Sequence, residues 1–187
     1  MRTSKIVTQI QMIESLITSQ TRIKLLLKFF INANNSSYLR GLEKEFGEGS
    51  NAIRLELNRF TEAGLLQTSS EGNKKIYQAN TKHPLFGDLQ SIIRKFTGID
   101  QIIKIVIGKL GNVSKVYLEG ELAKGIGSEV IDVVLLGDDI NKKYLLNLVE
   151  KAEPIIGKKI RYLVFGLTDG EKYIRNHKEQ LLLIWNQ

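Results

Sequence analysis

The chain has 187 residues, a formal net charge of +7, no cysteine and two histidines. The lack of cysteine excludes a disulfide framework and a thiolate metal site, and two histidines are too few for a His-rich zinc site. The longest apolar runs fall far short of the roughly 20 residues that a membrane span needs, and the N-terminus lacks a signal-peptide pattern. Since 42% of the residues are hydrophobic, we expect a packed cytoplasmic protein that does not contact a membrane.

The positive charge is unevenly distributed along the chain. Residues 1–97 hold 14 Lys and Arg against 8 Asp and Glu, a net charge of +6, whereas residues 98–187 hold 13 against 12, a net charge of +1. This asymmetry favours a polyanion as the partner of the first half. A basic surface that serves only solubility is the other interpretation.

The first half reads as a series of helices followed by a hairpin. Apolar residues at helical spacing predict helices over residues 4–17, 22–31 and 37–46. After a turn at Gly47 and Gly49, a further helix carries Ile53, Leu57 and Phe60 on one face and ends at Gly64. Strand character over residues 65–69 and 74–79, around a turn-rich connector, predicts a hairpin.

This order of elements is typical of a winged helix-turn-helix. Opposite the apolar stripe of the last helix lie small polar and basic side chains that suit base edges in the major groove. The hairpin tip carries groups that suit phosphates or the minor groove. The residues expected to contact double-stranded DNA are Ser50, Asn51, Arg54, Asn58, Asn73, Lys74 and Lys75. An ordinary solvated helix face is the other interpretation of the helical positions.

Within this region, residues 51–66, 71–77 and 80–86 resemble the winged-helix part of ArsR/MarR-like bacterial transcriptional regulators. The resemblance covers roughly residues 19–97 and implies a helix-turn-helix fold that regulates transcription by binding DNA. Metal-sensing relatives use clusters of Cys or His. This chain has no such cluster, so no metal is expected.

Two further helices are predicted after Pro84, through residues 85–96 and 99–110. Isoleucines surround the second of them, which indicates burial on more than one side. We therefore expect a homodimer, which would read two-fold related half-sites. The predicted division is a winged-helix domain over residues 1–82, a helical linker or dimerisation segment over 83–111 and an α/β domain over 112–187.

The last 75 residues alternate between strands and helices around a small mixed sheet. Within them, residues 118–125 followed by 130–137 resemble the core of the minimal nucleotidyltransferase (polymerase β-like) fold. In that fold a strand ends in Gly-Ser and the next strand carries Asp-x-Asp, whose carboxylates share one face and hold Mg²⁺. Here Gly120 is kept, Glu121 stands at the Ser position, Val130 stands at the first carboxylate position and Asp132 stands at the second.

The resemblance also implies a third carboxylate on a later strand, but residues 160–165 contain no acid. We therefore expect a catalytically inactive domain without cofactor or metal, in which a ligand-binding remnant persists at Gly120, Glu121, Lys124 and Asp132. Such a domain would bind a small nucleotide-like ligand or a partner protein.

The expected fold class is thus a two-domain α+β or α/β protein, with an N-terminal winged helix-turn-helix, a helical linker and a C-terminal nucleotidyltransferase-like domain. The expected function is that of a dimeric, sequence-specific DNA-binding transcriptional regulator. The alternative is an active nucleotidyltransferase that transfers a nucleoside monophosphate to a small molecule or protein. A third possibility is an antitoxin-like protein-interaction module.

Overall fold

The computed structural model describes residues 17–187. By their contacts these residues fall into two units, residues 17–93 and residues 94–187, which we call the N-terminal unit and the C-terminal unit. The helix predicted over residues 4–17 lies outside the described residues except for Ile17. The predicted boundaries at residues 82 and 111 remain predictions.

The N-terminal unit consists of helices and one small sheet. Its elements are α1 (Gln20–Phe30), β1 (Ser36–Tyr38), α2 (Leu39–Phe46), α3 (Ser50–Glu62), β2 (Leu66–Glu71), β3 (Lys74–Ala79) and α4 (Phe86–Thr97), which continues into the C-terminal unit. Ser19 caps α1, because its hydroxyl accepts a hydrogen bond from the backbone N–H of Arg22 at 3.2 Å. Gly47 ends α2 in the left-handed conformation, with φ +64°.

The sheet of this unit has the order β1-β3-β2, with antiparallel pairing throughout. Glu71 pairs with Lys74, so the hairpin turn contains only two residues. The prediction of a helix beginning at Ser37 is wrong at its start, because residues 36–38 pair with β3 as a strand. A partner about 40 residues away in sequence decides the conformation of this short segment.

The core of the N-terminal unit lies between its helices. The predicted apolar stripe of α3 is confirmed as buried. The largest fully buried side chains come from α1, α2 and α3, and they are Leu25, Phe29, Phe30, Leu42, Ile53 and Leu57.

The C-terminal unit begins with a helical segment over residues 99–110 that is interrupted by a π-helical turn, Ile103–Ile107. Its elements are numbered α5 to α9 and β4 to β7, and α5 and α6 lie on either side of the π-helical turn. These are α5 (Ile99–Ile102), α6 (Gly108–Leu110), β4 (Lys115–Glu119), α7 (Gly120–Ala123), β5 (Val130–Leu136), α8 (Lys142–Ile156), β6 (Lys159–Phe165), α9 (Leu167–His177) and β7 (Leu182–Asn186).

The sheet of the C-terminal unit has the order β6-β5-β4-β7. Strands β5 and β6 are parallel, and the other two pairs are antiparallel. The chain is therefore an α+β protein with a mixed sheet, in agreement with the predicted fold class at this level. On the edge strand β7, Trp185 pairs with Val116.

The two faces of this sheet are covered differently. On one face α9 packs closely at the Leu136 end, since a Cβ added to Gly170 would lie 2.5 Å from Leu136 Cγ. The opposite face carries the buried side chains of Ile131, Val133 and Leu135. The other end of the α9 face, where β4 meets α7, carries the cavity described below. Between residues 17 and 187, no helix is long and apolar enough to cross a membrane.

Candidate functional site

The residues expected to contact DNA lie on α3 and on the β2–β3 hairpin. Asn51, Arg54 and Asn58 are exposed on α3, and Ser50, its first residue, is half-buried. The apolar Leu55 is also 52% exposed on this helix. The outward surface of α3 is therefore mixed in character rather than uniformly polar and basic.

The hairpin residues Asn73, Lys74 and Lys75 are all exposed. The ammonium group of Lys74 lies 4.5 Å from the ring centroid of Tyr38, and that of Lys75 lies 5.3 Å from the ring centroid of Tyr77. Both lysines therefore make cation–π contacts inside the unit.

Several other basic residues of the N-terminal unit are committed to ion pairs within this unit. Arg22 donates from Nε and Nη2 to the two carboxylate oxygens of Glu56, at 2.8 and 3.1 Å. Arg59 donates to the same carboxylate at 2.9 Å. Burial alone would raise the pKa of Glu56, but hydrogen bonds and charge from Arg22 and Arg59 outweigh it and hold that pKa below its ordinary value.

Two more pairs have the same internal character. Lys24 pairs with Glu48, and Lys28 pairs with Glu45. Part of the basic charge that favoured a polyanion partner therefore stabilises this unit from within.

In the C-terminal unit, the adjoining ends of β4 and β5 bring two carboxylates together. Glu119, the last residue of β4, is directly opposite Asp132 of β5 in the antiparallel register. Residues in this position have their Cβ atoms about 5 Å apart and their side chains on the same face. Both side chains line a cavity of about 230 Å³.

Gly120 makes the close approach of this turn to Asp132 possible. It has φ +71°, in the left-handed region, and a Cβ added to it would lie 2.7 Å from Asp132 Oδ2. A side chain at this position would therefore be strained and would also displace the carboxylate. Glycine at this position keeps the cavity side of Asp132 open.

Arg161 on β6 lies beside Asp132 in the parallel register. Its Nε and Nη2 donate to Asp132 Oδ1 and Oδ2 at 2.6 and 2.9 Å. The side chain of Arg161 is 72% exposed and that of Asp132 is 21% exposed. Hydrogen bonding to Asp132, reinforced by the carboxylate charge, raises the pKa of Arg161.

Tyr173 on α9 holds the other carboxylate. Its hydroxyl donates to Glu119 Oε1 at 2.7 Å, and its ring stacks between Phe165 and His177 with centroid distances of 4.7 and 4.1 Å. Burial, followed by the hydrogen bond to Glu119 and its charge, raises the pKa of Tyr173 to about 12. The Glu119 carboxylate is thus oriented by a neutral phenol.

The remaining predicted ligand residues lie outside this cavity lining. Glu121, on α7, and Lys124, at its C-terminal end, are both exposed, and their charged groups lie 3.9 Å apart. Sequence analysis missed Glu119, Arg161 and Tyr173, which the sheet register and α9 bring to Asp132. Within residues 17–187, no group of three or more His, Cys, Asp or Glu side chains is arranged to hold a metal ion.

Comparison with known proteins gives structural neighbours only. No family model matches the chain, and no curated protein matches it. The solved structures similar to it include a toxin–antitoxin MntA–HpeT complex, at 16% identity over 48% of this chain and 72% of that chain, with a TM-score of 0.36. Another is the tri-AMPylated HEPN toxin of Shewanella oneidensis in complex with an MNT antitoxin, at 16% identity over 47% of this chain and 69% of that chain, with a TM-score of 0.36.

A third similar structure is AF1382 from Archaeoglobus fulgidus, at 18% identity over 49% of this chain and 96% of that chain, with a TM-score of 0.36. Values of this size do not assign the chain to a family.

Two predictions are corrected by these neighbours. The main functional prediction, a DNA-binding transcriptional regulator, is wrong, because the similar structures include MntA and MNT antitoxins with their toxins. The prediction that the chain is not an enzyme is also contradicted, because one of these complexes contains an AMPylated toxin. That prediction took Asp132 as the one remaining carboxylate of the site. It did not include Glu119, which lies opposite Asp132 in the pairing of β4 and β5.

Proposed function

We propose that the C-terminal unit is a nucleotidyltransferase-type domain that binds a nucleoside triphosphate with Mg²⁺ and transfers the nucleoside monophosphate to a hydroxyl group. The observation that carries this proposal is the placement of Glu119 and Asp132 opposite each other at one cavity. The DNA-binding surface suggested by the charge distribution has no part in this function.

The side chains at the cavity fit a metal–nucleotide complex. Mg²⁺ is bound in proteins through one or two carboxylates together with substrate phosphates, and it keeps several waters. Asp132 and Glu119 supply the two carboxylates, and the guanidinium of Arg161 already occupies the position of a cation at Asp132. Gly120 adds no side chain that would fill the approach.

When bound, Mg²⁺ would neutralise phosphate charge as the leaving group departs. The acceptor oxygen attacks the α-phosphorus, the bond from that phosphorus to the bridging oxygen breaks, and pyrophosphate leaves. The acceptor loses its proton to water in this step, while Tyr173 holds Glu119 Oε1 and leaves Oε2 free for the metal ion. Arg161 offers two N–H groups to a phosphate oxygen.

We propose a protein as the acceptor. The cavity is bordered on β6 by Leu163, whose side chain is 44% exposed on the same sheet face as Asp132. Leu183 on β7 is also exposed and pairs with Tyr117 of β4. Apolar side chains exposed around a polar cavity suit a protein surface that presents a hydroxyl.

Nucleotide binding and label transfer test this function. Calorimetry of the full chain with Mg²⁺ and the α,β-methylene analogues of ATP, GTP, CTP and UTP should show saturable, metal-dependent binding of at least one analogue. The natural triphosphate with the same base, carrying ³²P at the α-position, should then label a protein of a cell extract. Asp132→Asn should lower the rate of labelling on the order of 100-fold, because it removes a charge-stabilising ligand.

Asp139→Asn is the matched control, since Asp139 is exposed and its φ of +57° is one that Asn tolerates. It should bind and transfer like the wild type. If none of the four analogues binds to the wild-type chain in the presence of Mg²⁺, the proposed function is wrong.

A second proposal concerns the fold of the N-terminal unit. We propose a winged-helix fold for it, supported by the order of its elements from α1 to β3 and by its three-stranded antiparallel sheet. The homodimer expected from the sequence remains a prediction.

A further inference from the structure

Arg161 and Asp132 form an ion pair in the middle of the proposed catalytic cavity. Both nitrogen–oxygen contacts are within hydrogen-bond distance, and together they satisfy one lone pair on each carboxylate oxygen. Because Arg161 itself lines the cavity, its side chain occupies part of the space that a ligand would enter.

The solvent exposure of Arg161 indicates that it can leave Asp132 and bind another partner. An ion pair whose cationic partner is exposed contributes little net stability, since solvent screens it and ordering a long side chain costs entropy. Arg161 is largely exposed, so its guanidinium can turn toward water without a large desolvation change. Both carboxylate oxygens of Asp132 then lose their hydrogen bonds to Arg161 and can bind a ligand.

The charges at the cavity couple this exchange to the ligand. With Arg161 turned toward Asp132, the charges of Glu119, Asp132 and Arg161 sum to −1, and without Arg161 they sum to −2. A metal ion alone must therefore displace Arg161 and leave the guanidinium unpaired. A metal–nucleotide complex brings a cation for Asp132 and a phosphate for Arg161 in the same event.

We propose that Arg161 exchanges partners on ligand binding, pairing with Asp132 in the free protein and with a phosphate of the nucleotide in the complex. This inference rests on the proposed function and assigns to Arg161 the coupling between metal and nucleotide. Arg161 thus disfavours the metal ion alone and favours the metal–nucleotide complex.

Binding of Mn²⁺ and of nucleotide, measured separately, tests the exchange without relying on activity. Mn²⁺ binding to the full chain is followed by electron paramagnetic resonance, without nucleotide and with each of the α,β-methylene analogues of ATP, GTP, CTP and UTP in turn, for the wild type and for Arg161→Gln. Arg161→Gln should bind Mn²⁺ alone more tightly and the Mn²⁺–analogue complex more weakly. The factor by which the analogue enhances Mn²⁺ affinity should fall on the order of tenfold.

Arg175→Gln serves as the control, because Arg175 is exposed on α9 and its Nε bonds only a carbonyl of its own helix, that of Glu171, among the contacts described for residues 17–187. It should retain wild-type coupling. Equal coupling in the wild type and in Arg161→Gln, with nucleotide bound by both, would overturn the exchange and leave the proposed function standing. If neither protein binds the analogue with metal for any of the four bases, the proposed function fails and the exchange fails with it.

Discussion

The two units each contain an arginine that makes two hydrogen bonds to one carboxylate, and the two pairs differ in burial. In the N-terminal unit, the Glu56 side chain is 5% exposed and is shared by Arg22 and Arg59. In the C-terminal unit, Asp132 accepts from Arg161 alone among the hydrogen bonds described for residues 17–187, and the arginine is mostly in solvent. The same bond geometry therefore serves two purposes.

Burial decides which purpose each pair serves. Removing a partner from the Glu56 cluster leaves charge in a desolvated place, which costs far more than the pair itself contributes. Removing a partner from the Asp132 pair leaves a carboxylate that water or a ligand can reach. The first arrangement holds helices together, and the second keeps a site ready for exchange.

The largest stability effect is expected at Glu56. Glu56→Gln should lower the free energy of unfolding by about 2 kcal/mol at pH 7, because the buried amide loses the charge that two arginines bind and turns an NH₂ donor toward their N–H donors. The folded-state pKa of Glu56 is lowered, so its contribution is present above the unfolded-state pKa and is lost as the pH falls through the folded-state value. Urea unfolding of both proteins at pH 7 and at pH 3 would measure this.

Glu62→Gln, at the exposed last residue of the same helix, is the control and should change stability by less than about 0.5 kcal/mol. If Glu56→Gln and Glu62→Gln unfold at the same urea concentration, the Glu56 cluster does not hold the helices.

An intermediate effect is expected at Tyr173. Tyr173→Phe should cost about 1 kcal/mol at pH 7, since it removes the hydrogen bond to Glu119. The folded-state pKa of about 12 lies above the ordinary value of 10.0. The stability that this hydroxyl contributes is therefore present below pH 10 and is lost as the pH rises toward 12.

The measurement is the difference in unfolding free energy between wild type and Tyr173→Phe at pH 8, 10 and 11. Burial raises the pKa of Tyr117 in both proteins, and its contribution cancels in the difference. A difference that stays constant from pH 8 to pH 11 would contradict the assigned pKa of Tyr173.

The smallest effect is expected at the pair that we assign to function. Asp132→Asn should change the free energy of unfolding by less than about 1 kcal/mol, because its arginine partner remains solvated. Urea unfolding beside Glu56→Gln provides a direct comparison under the same conditions. A loss at Asp132 as large as that at Glu56 would contradict the distinction between the two pairs.

The pattern of apolar residues was enough to predict most elements. Helix α8, for example, was expected over residues 143–156 and spans Lys142–Ile156. Strand β1 was missed because three residues carry no periodicity, and only pairing with β3 makes them a strand. The π-helical turn Ile103–Ile107 was also missed, since its apolar sequence fits an uninterrupted helix equally well.

The site was only partly predictable for a similar reason. Gly120 and Asp132 lie close together in the sequence, so one local sequence motif includes both. Arg161 reaches Asp132 through a parallel strand pairing across 29 positions, and Tyr173 reaches Glu119 across 54 positions. Contacts of this kind depend on strand order and register, which local patterns do not specify.

Trp185 on β7 allows the unfolding of the C-terminal unit to be followed by its own fluorescence signal. It is the only tryptophan of the chain, and it lies in the sheet of the C-terminal unit opposite Val116. Intrinsic tryptophan fluorescence therefore follows the unfolding of this sheet alone, whereas far-ultraviolet circular dichroism follows the helices of both units. A denaturation experiment recorded with both signals would assign each substitution above to the unit that it weakens.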